Sequence, residues 1–104
     1  MNTTYILNEN CEPVPENDMS VWGAFMEDND KRRVANTEIN GTEISTVFTG
    51  IDSTLGGGPP ALWETMIFGG EHESFQERYT SMNAAIAGHA TAFALVSRGF
   101  LDRN

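Results

Sequence analysis

The sequence predicts a small α+β domain. Its core is an antiparallel three- to four-stranded sheet, with a short N-terminal helix and a longer C-terminal helix packed on it. Three observations predict this. Residues 44–48 and 61–68 are apolar, β-rich runs on either side of a loop rich in glycine and proline. Asn40-Gly41 is the preferred dipeptide of a two-residue type I′ hairpin turn. Residues 82–96 carry apolar side chains at helical spacing on an alanine-rich background. A chain of 104 residues makes one domain with one modest core. Its expected parts are a strand and loop over 1–17, a short helix over 18–30, a meander over 33–68 and the last helix over 81–98.

Taken in order, residues 4–7 form a short β-like run. Residues 8–17 are polar, contain Pro13 and Pro15, and read as an extended linker. Asn17 or Asp18 caps a helix over 19–28, whose apolar residues Val21, Trp22, Phe25 and Met26 share one face. Glu27 and Asp28 end that helix, where negative charge opposes the helix dipole, so helix stability did not select them. The hairpin pairs 34–39 with 42–49, with Ile44, Thr46 and Phe48 on the face expected to be buried.

Gly56, Gly57 and Gly58 lie in a loop that needs positive φ. It is not a phosphate loop, because Pro59-Pro60 follow the glycines where a Walker loop has Gly-Lys-Ser/Thr. The strand 61–68 is apolar on both faces and so central. Its Glu64 must be paired or lie at an open edge, since an isolated buried carboxylate is costly. Residues 71–77 form a polar acidic loop. Thr80 or Ser81 then caps the last helix, with Met82, Ala85, Ile86, Phe93 and Val96 on its inward stripe. Arg98 suits the end of that helix and Gly99 its C′ position, with Phe100 and Leu101 folding back and 102–104 fraying.

Charge is the most unusual property. Fifteen acids against six bases give a net charge of −9. Residues 1–30 and 34–77 each hold seven acids and no base except Lys31, Arg32 and Arg33 between them. Such a surface repels nucleic acid and membrane and attracts basic surfaces in a salt-dependent way. Solubility alone accounts for part of it. The sharper reading is an acidic partner-binding face built from Glu27, Asp28, Asp30, Glu38, Glu43, Glu71, Glu73 and Glu77.

Catalytic chemistry is thin. His89 falls on the apolar stripe, where a lone histidine reads first as a core residue with one satisfied nitrogen. Glu71-His72-Glu73 are adjacent residues, which rarely point at one metal ion, and no second cluster supports them. Cys11 stands alone, so it makes no internal disulfide and no thiolate zinc cluster. No Gly-x-Ser-x-Gly elbow is present. The expectation is a non-enzyme with no catalytic residues, no metal and no cofactor. With no signal-like N-terminus and no run long enough to span a bilayer, a cytoplasmic protein is expected.

The strings ISTVFTGIDSTLGGGPPALWETMIFGG and RYTSMNAAIAGHATA resemble a group of small proteins encoded by phages, prophages and other mobile elements. YILNENCEPVPENDMSVW resembles their usual opening, so the likeness spans residues 5–93. The group often carries a histidine after the aspartate at position 52, where this chain has Ser53; that departure argues against histidine chemistry in the loop. The resemblance implies an anti-CRISPR protein acting on a type I effector complex (type I-C among the subtypes) in the bacterial host cell. Such complexes hold DNA in basic channels, and a compact −9 domain suits a DNA mimic bound to a basic Cas surface, as a monomer that binds no nucleic acid directly. The rival readings are capture of a cyclic nucleotide signal, with the glycine-rich loop and His89 as pocket walls, and a phage accessory protein with no immune target.

Overall fold

The computed structural model describes residues 3–52, 54 and 57–101, and it is an α+β fold. Strands β1 (Tyr5–Leu7) and β2 (Pro13–Pro15) form a small antiparallel hairpin. Helices α1 (Met19–Glu27) and α2 (Asn29–Arg32) follow it. The main sheet has the order β3 (Arg33–Ile39), β4 (Thr42–Phe48), β5 (Trp63–Phe68) and β6 (Gln76–Tyr79), all antiparallel neighbours. Helix α3 (Met82–Leu101) packs across one face of it.

The residues explain these elements. Asn40 and Gly41 take φ of 47° and 86°, the two positive values that a type I′ turn requires. The turn sets Ile39 against Thr42 and leaves β4 strictly alternating, with Thr42, Ile44, Thr46 and Phe48 buried. Asp18 is the N-cap of α1, its carboxylate accepting from the N–H groups of Ser20 and Val21. Ser81 caps α3, its hydroxyl accepting from Ala84 N–H at 3.0 Å.

Several expectations need correction. Residues 8–17 are not a linker, because β2 lies within them. Glu12 O accepts from Asn8 and Glu16 N–H donates to Thr4, so strand alternation turns the backbone of Pro13 and Pro15 outward, where a missing N–H costs nothing. Asp28 ends α1 and also begins α2, its carboxylate accepting from Lys31 N–H at 3.2 Å. A negative charge misplaced for the first helix is thus well placed for the second. The acidic segment 71–77 does not stay a loop, since Gln76–Tyr79 form the edge strand β6. Helix α3 runs through Gly99 instead of ending there. Its inward stripe is Ala85, His89, Ala92 and Val96, while Ile86 and Phe93 are 53% and 44% exposed. Val21 is likewise exposed on α1. The expectations for Phe100, Leu101 and 102–104 concern side chains and residues outside those described.

The core lies between sheet and α3 in two halves. Ile44, Ile67, Ala92 and Val96 form one half, with Ile39 and Phe75 against it. Phe48, Leu62, Trp63 and Ala85 form the other, which Tyr5, Leu7, Phe25 and Val34 close from the N-terminal side. Gly50 joins the N-terminal elements to the sheet. Its carbonyl accepts from Tyr5 N–H at 2.9 Å and from Trp22 Nε1–H at 3.1 Å. Arg32 adds a second tie, donating to Phe48 O and Met26 O.

Gly50 has φ of 71°, and a Cβ there would sit 2.6 Å from Met26 Sδ and 3.1 Å from Tyr5 O. Gly50→Ala is expected to cost on the order of 2 kcal/mol, seen in thermal denaturation as a Tm lower by about 10 °C. Gly23→Ala, with nothing within 4 Å of the new Cβ, should instead leave Tm unchanged or raise it.

Candidate functional site

Strand register decides which acids meet. Glu38 and Glu43 are directly opposite on β3 and β4, on the sheet face that α3 leaves uncovered. Cross-strand partners of this kind have Cβ atoms about 5 Å apart, and like charges there repel. Asn36 Nδ2 donates to Glu43 Oε2 at 2.9 Å and offsets part of that repulsion. The β5–β6 connection lies at the same end of the sheet as this pair, because Gly69 and Gly70 pass against Gly41 and Thr42. Exposed Glu71 and Glu73 sit on that connection, so four of the expected acids share the hairpin end of the sheet.

The remaining acids lie elsewhere. Glu27, Asp28 and Asp30 belong to α1, its cap and α2, at the opposite end of β3. Asp28 and Asp30 also face Lys31 at 3.9 Å and Arg33 at 3.5 Å. Glu77 pairs with Thr65 in β5 and points to the α3 side. The eight acids expected on one face therefore form a group of four, a group of three and a single residue. Glu64 is paired, as expected, its Oε2 accepting from Arg78 Nε at 3.0 Å and from Gln76 Nε2 at 2.7 Å.

His89 is a core residue, 8% exposed, with both ring nitrogens engaged instead of the expected one. Nδ1 lies 2.7 Å from Thr46 Oγ1 and Nε2 lies 2.9 Å from Thr37 Oγ1. Thr46 Oγ1 is in turn 2.5 Å from Thr65 Oγ1, its cross-strand partner. Each hydroxyl can donate or accept, so a neutral ring is satisfied in either tautomer. This network separates the two halves of the core. His89 lines neither of the clefts among the described residues, and of the glycine-rich loop residues 53, 55 and 56 lie outside those described. Burial pushes the His89 pKa below the ordinary imidazole range.

Among the described residues no group of three His, Cys, Asp or Glu side chains could hold a metal ion. No described helix is long and apolar enough to cross a membrane. Cys11 is exposed in the β1–β2 turn, where Asn8 accepts from the N–H groups of Asn10 and Glu12. Asp52, in the loop that the resemblance emphasises, accepts from Thr54 Oγ1–H and N–H and from Ala61 N–H, which holds its carboxyl below the usual range. Its oxygen is used in shaping the loop. Clefts lie among the described residues as well. One of about 570 Å³ is floored by Leu7, Phe25 and Met82. One of about 370 Å³ lies between β6 and α3.

Thr46→Val removes the hydroxyl shared by His89 and Thr65, and unfolding in urea should show a loss of about 1–3 kcal/mol. The unfolded chain takes up a proton on His89 before the folded chain does. Its contribution to stability is therefore complete above the ordinary histidine pKa and lost as pH falls below it. The urea midpoint should drop from pH 7 to pH 5.5, and His89→Gln should flatten that drop.

Comparison with protein families, with curated proteins and with solved structures finds no match for this chain.

Proposed function

We propose that this chain is an acidic protein-binding inhibitor that occupies a basic, DNA-binding surface of a type I CRISPR effector complex. The acids at the hairpin end of the sheet would stand where DNA phosphates go. The resemblance over residues 5–93 supplies the class of target. The observation that carries the surface is the Glu38–Glu43 pair. Two like charges directly opposite on an exposed sheet face weaken the hairpin, and Glu71 and Glu73 add to the same end. An arrangement that costs stability is the kind retained for a partner.

The mechanism needs no reaction. DNA is bound through basic side chains that displace its condensed counterions. A rigid cluster of carboxylates can occupy the same side chains and steer its own association through long-range attraction. Affinity should then fall with salt, and DNA and inhibitor should exclude each other. The sheet holds Glu38 and Glu43 on paired backbone, so little ordering of that pair is needed on binding.

The reading is tested by titrating the purified protein into a type I effector complex and measuring target-DNA binding. Glu38→Lys, Glu43→Lys, Glu71→Lys and Glu73→Lys combined should weaken inhibition at least tenfold while the far-ultraviolet spectrum is kept. Glu27→Lys with Asp30→Lys, at the other end, should leave inhibition within about twofold. A fourfold variant that inhibits like the parent excludes this end of the sheet.

A further inference from the structure

Glu77 is the acid that belongs to neither cluster. Its side chain makes no hydrogen bond or ion pair with the described residues, and it is exposed on the edge strand. Among the described residues no strand lies beyond β6. Ile67 N–H donates to Phe75 O, so the backbone groups of Phe75, Glu77 and Tyr79 turn toward β5. By alternation the N–H and C=O groups of Gln76 and Arg78 turn to the open edge, leaving two donors and two acceptors for an added strand.

Next to that edge lies the cleft of about 370 Å³, lined by Phe75, Glu77, Tyr79, Gly88 and Thr91. Its walls are largely apolar, with the Glu77 carboxylate among them. The Thr91 hydroxyl is already used, donating to Ala87 O at 3.1 Å. The Tyr79 hydroxyl is buried without a hydrogen-bond partner and sits where a Cβ on Gly88 would be. Only glycine at position 88 leaves room for this wall.

We propose that β6 and this cleft bind an extended peptide segment of a partner protein by strand addition, with a lysine or arginine side chain in the cleft. The shape and charge select that residue. A long basic side chain has an apolar stem that suits Phe75 and Tyr79 and a cation that suits Glu77. Main-chain pairing with Gln76 and Arg78 supplies affinity, and the cleft supplies specificity. The neighbouring peptide residues would face Gln76 and Arg78 on the uncovered side of the sheet. Arg78 there is already neutralised by Glu64, so uncharged residues fit those positions. This surface lies on the α3 side of the edge strand and is independent of the Glu38–Glu43 pair, so either assignment can fail without the other.

The test uses a fluorescent, terminally blocked pentapeptide, Thr-Val-Lys-Val-Thr, and its counterpart with glutamate in place of lysine. The lysine peptide should bind at least tenfold tighter by anisotropy. Glu77→Gln should cut its affinity at least fivefold, while Glu38→Gln should not change it. Gln76→Pro, which removes one outward N–H from the edge, should weaken binding at least fivefold. On binding, amide exchange at Gln76 and Arg78 should slow. No binding at millimolar peptide, equal binding of the two peptides, or binding without slowed exchange overturns the proposal. Slowed exchange at these amides without peptide, growing with protein concentration, would assign the edge to a second copy instead and overturn it equally.

Discussion

The contact on which the architecture turns is the one between His89 and the threonines beneath it. Thr46 and Thr65 are opposite each other on the two central strands, and His89 comes down on them from α3 while also reaching Thr37. A slip of one residue between the strands would send both hydroxyls to the other face of the sheet. A rotation of α3 would strand the imidazole among isoleucine and phenylalanine. Apolar contacts on either side tolerate small shifts, whereas buried hydrogen bonds do not. The network therefore specifies register and helix rotation, and the two apolar halves of the core supply most of the driving force around it.

The N-terminal elements are attached by a different logic. They meet the sheet at one end, through the carbonyl of Gly50, a residue at positive φ, and through one arginine spanning two carbonyls. Both ties join backbone of the sheet to side chains or backbone of the preceding segment. That end is therefore locked by directed hydrogen bonds laid over the packing of Tyr5, Leu7 and Phe25.

What could be read from the sequence follows from how local each signal is. The Asn40-Gly41 turn, the alternation of β4 and the Asp18 cap each need only a few neighbouring residues, and each is where it was expected. The strand β6 was not legible because it is short, charged and paired on one side only, so its composition is that of a loop. The double role of Asp28 was hidden because a helix of four residues leaves no periodicity. Ile86 and Phe93 were misplaced because the buried stripe of α3 is made largely of small alanines, Ala85 and Ala92, beside His89, so the bulkier apolar side chains lie off it. The acids divide for a global reason. Composition counts charges, but only topology tells which end of the sheet each one reaches.

The order of elements along the chain has a consequence for how this domain is made. The residues that fill the core from the sheet, Ile44, Phe48, Trp63 and Ile67, all precede the helix that covers them. During synthesis the strands leave the ribosome with their apolar face bare until α3 has emerged. The N-terminal hairpin and α1 wait as well, since Gly50 and Phe48 come later than they do. The sheet therefore cannot bury its apolar face before α3 is available, and the high negative charge opposes association of chains until then.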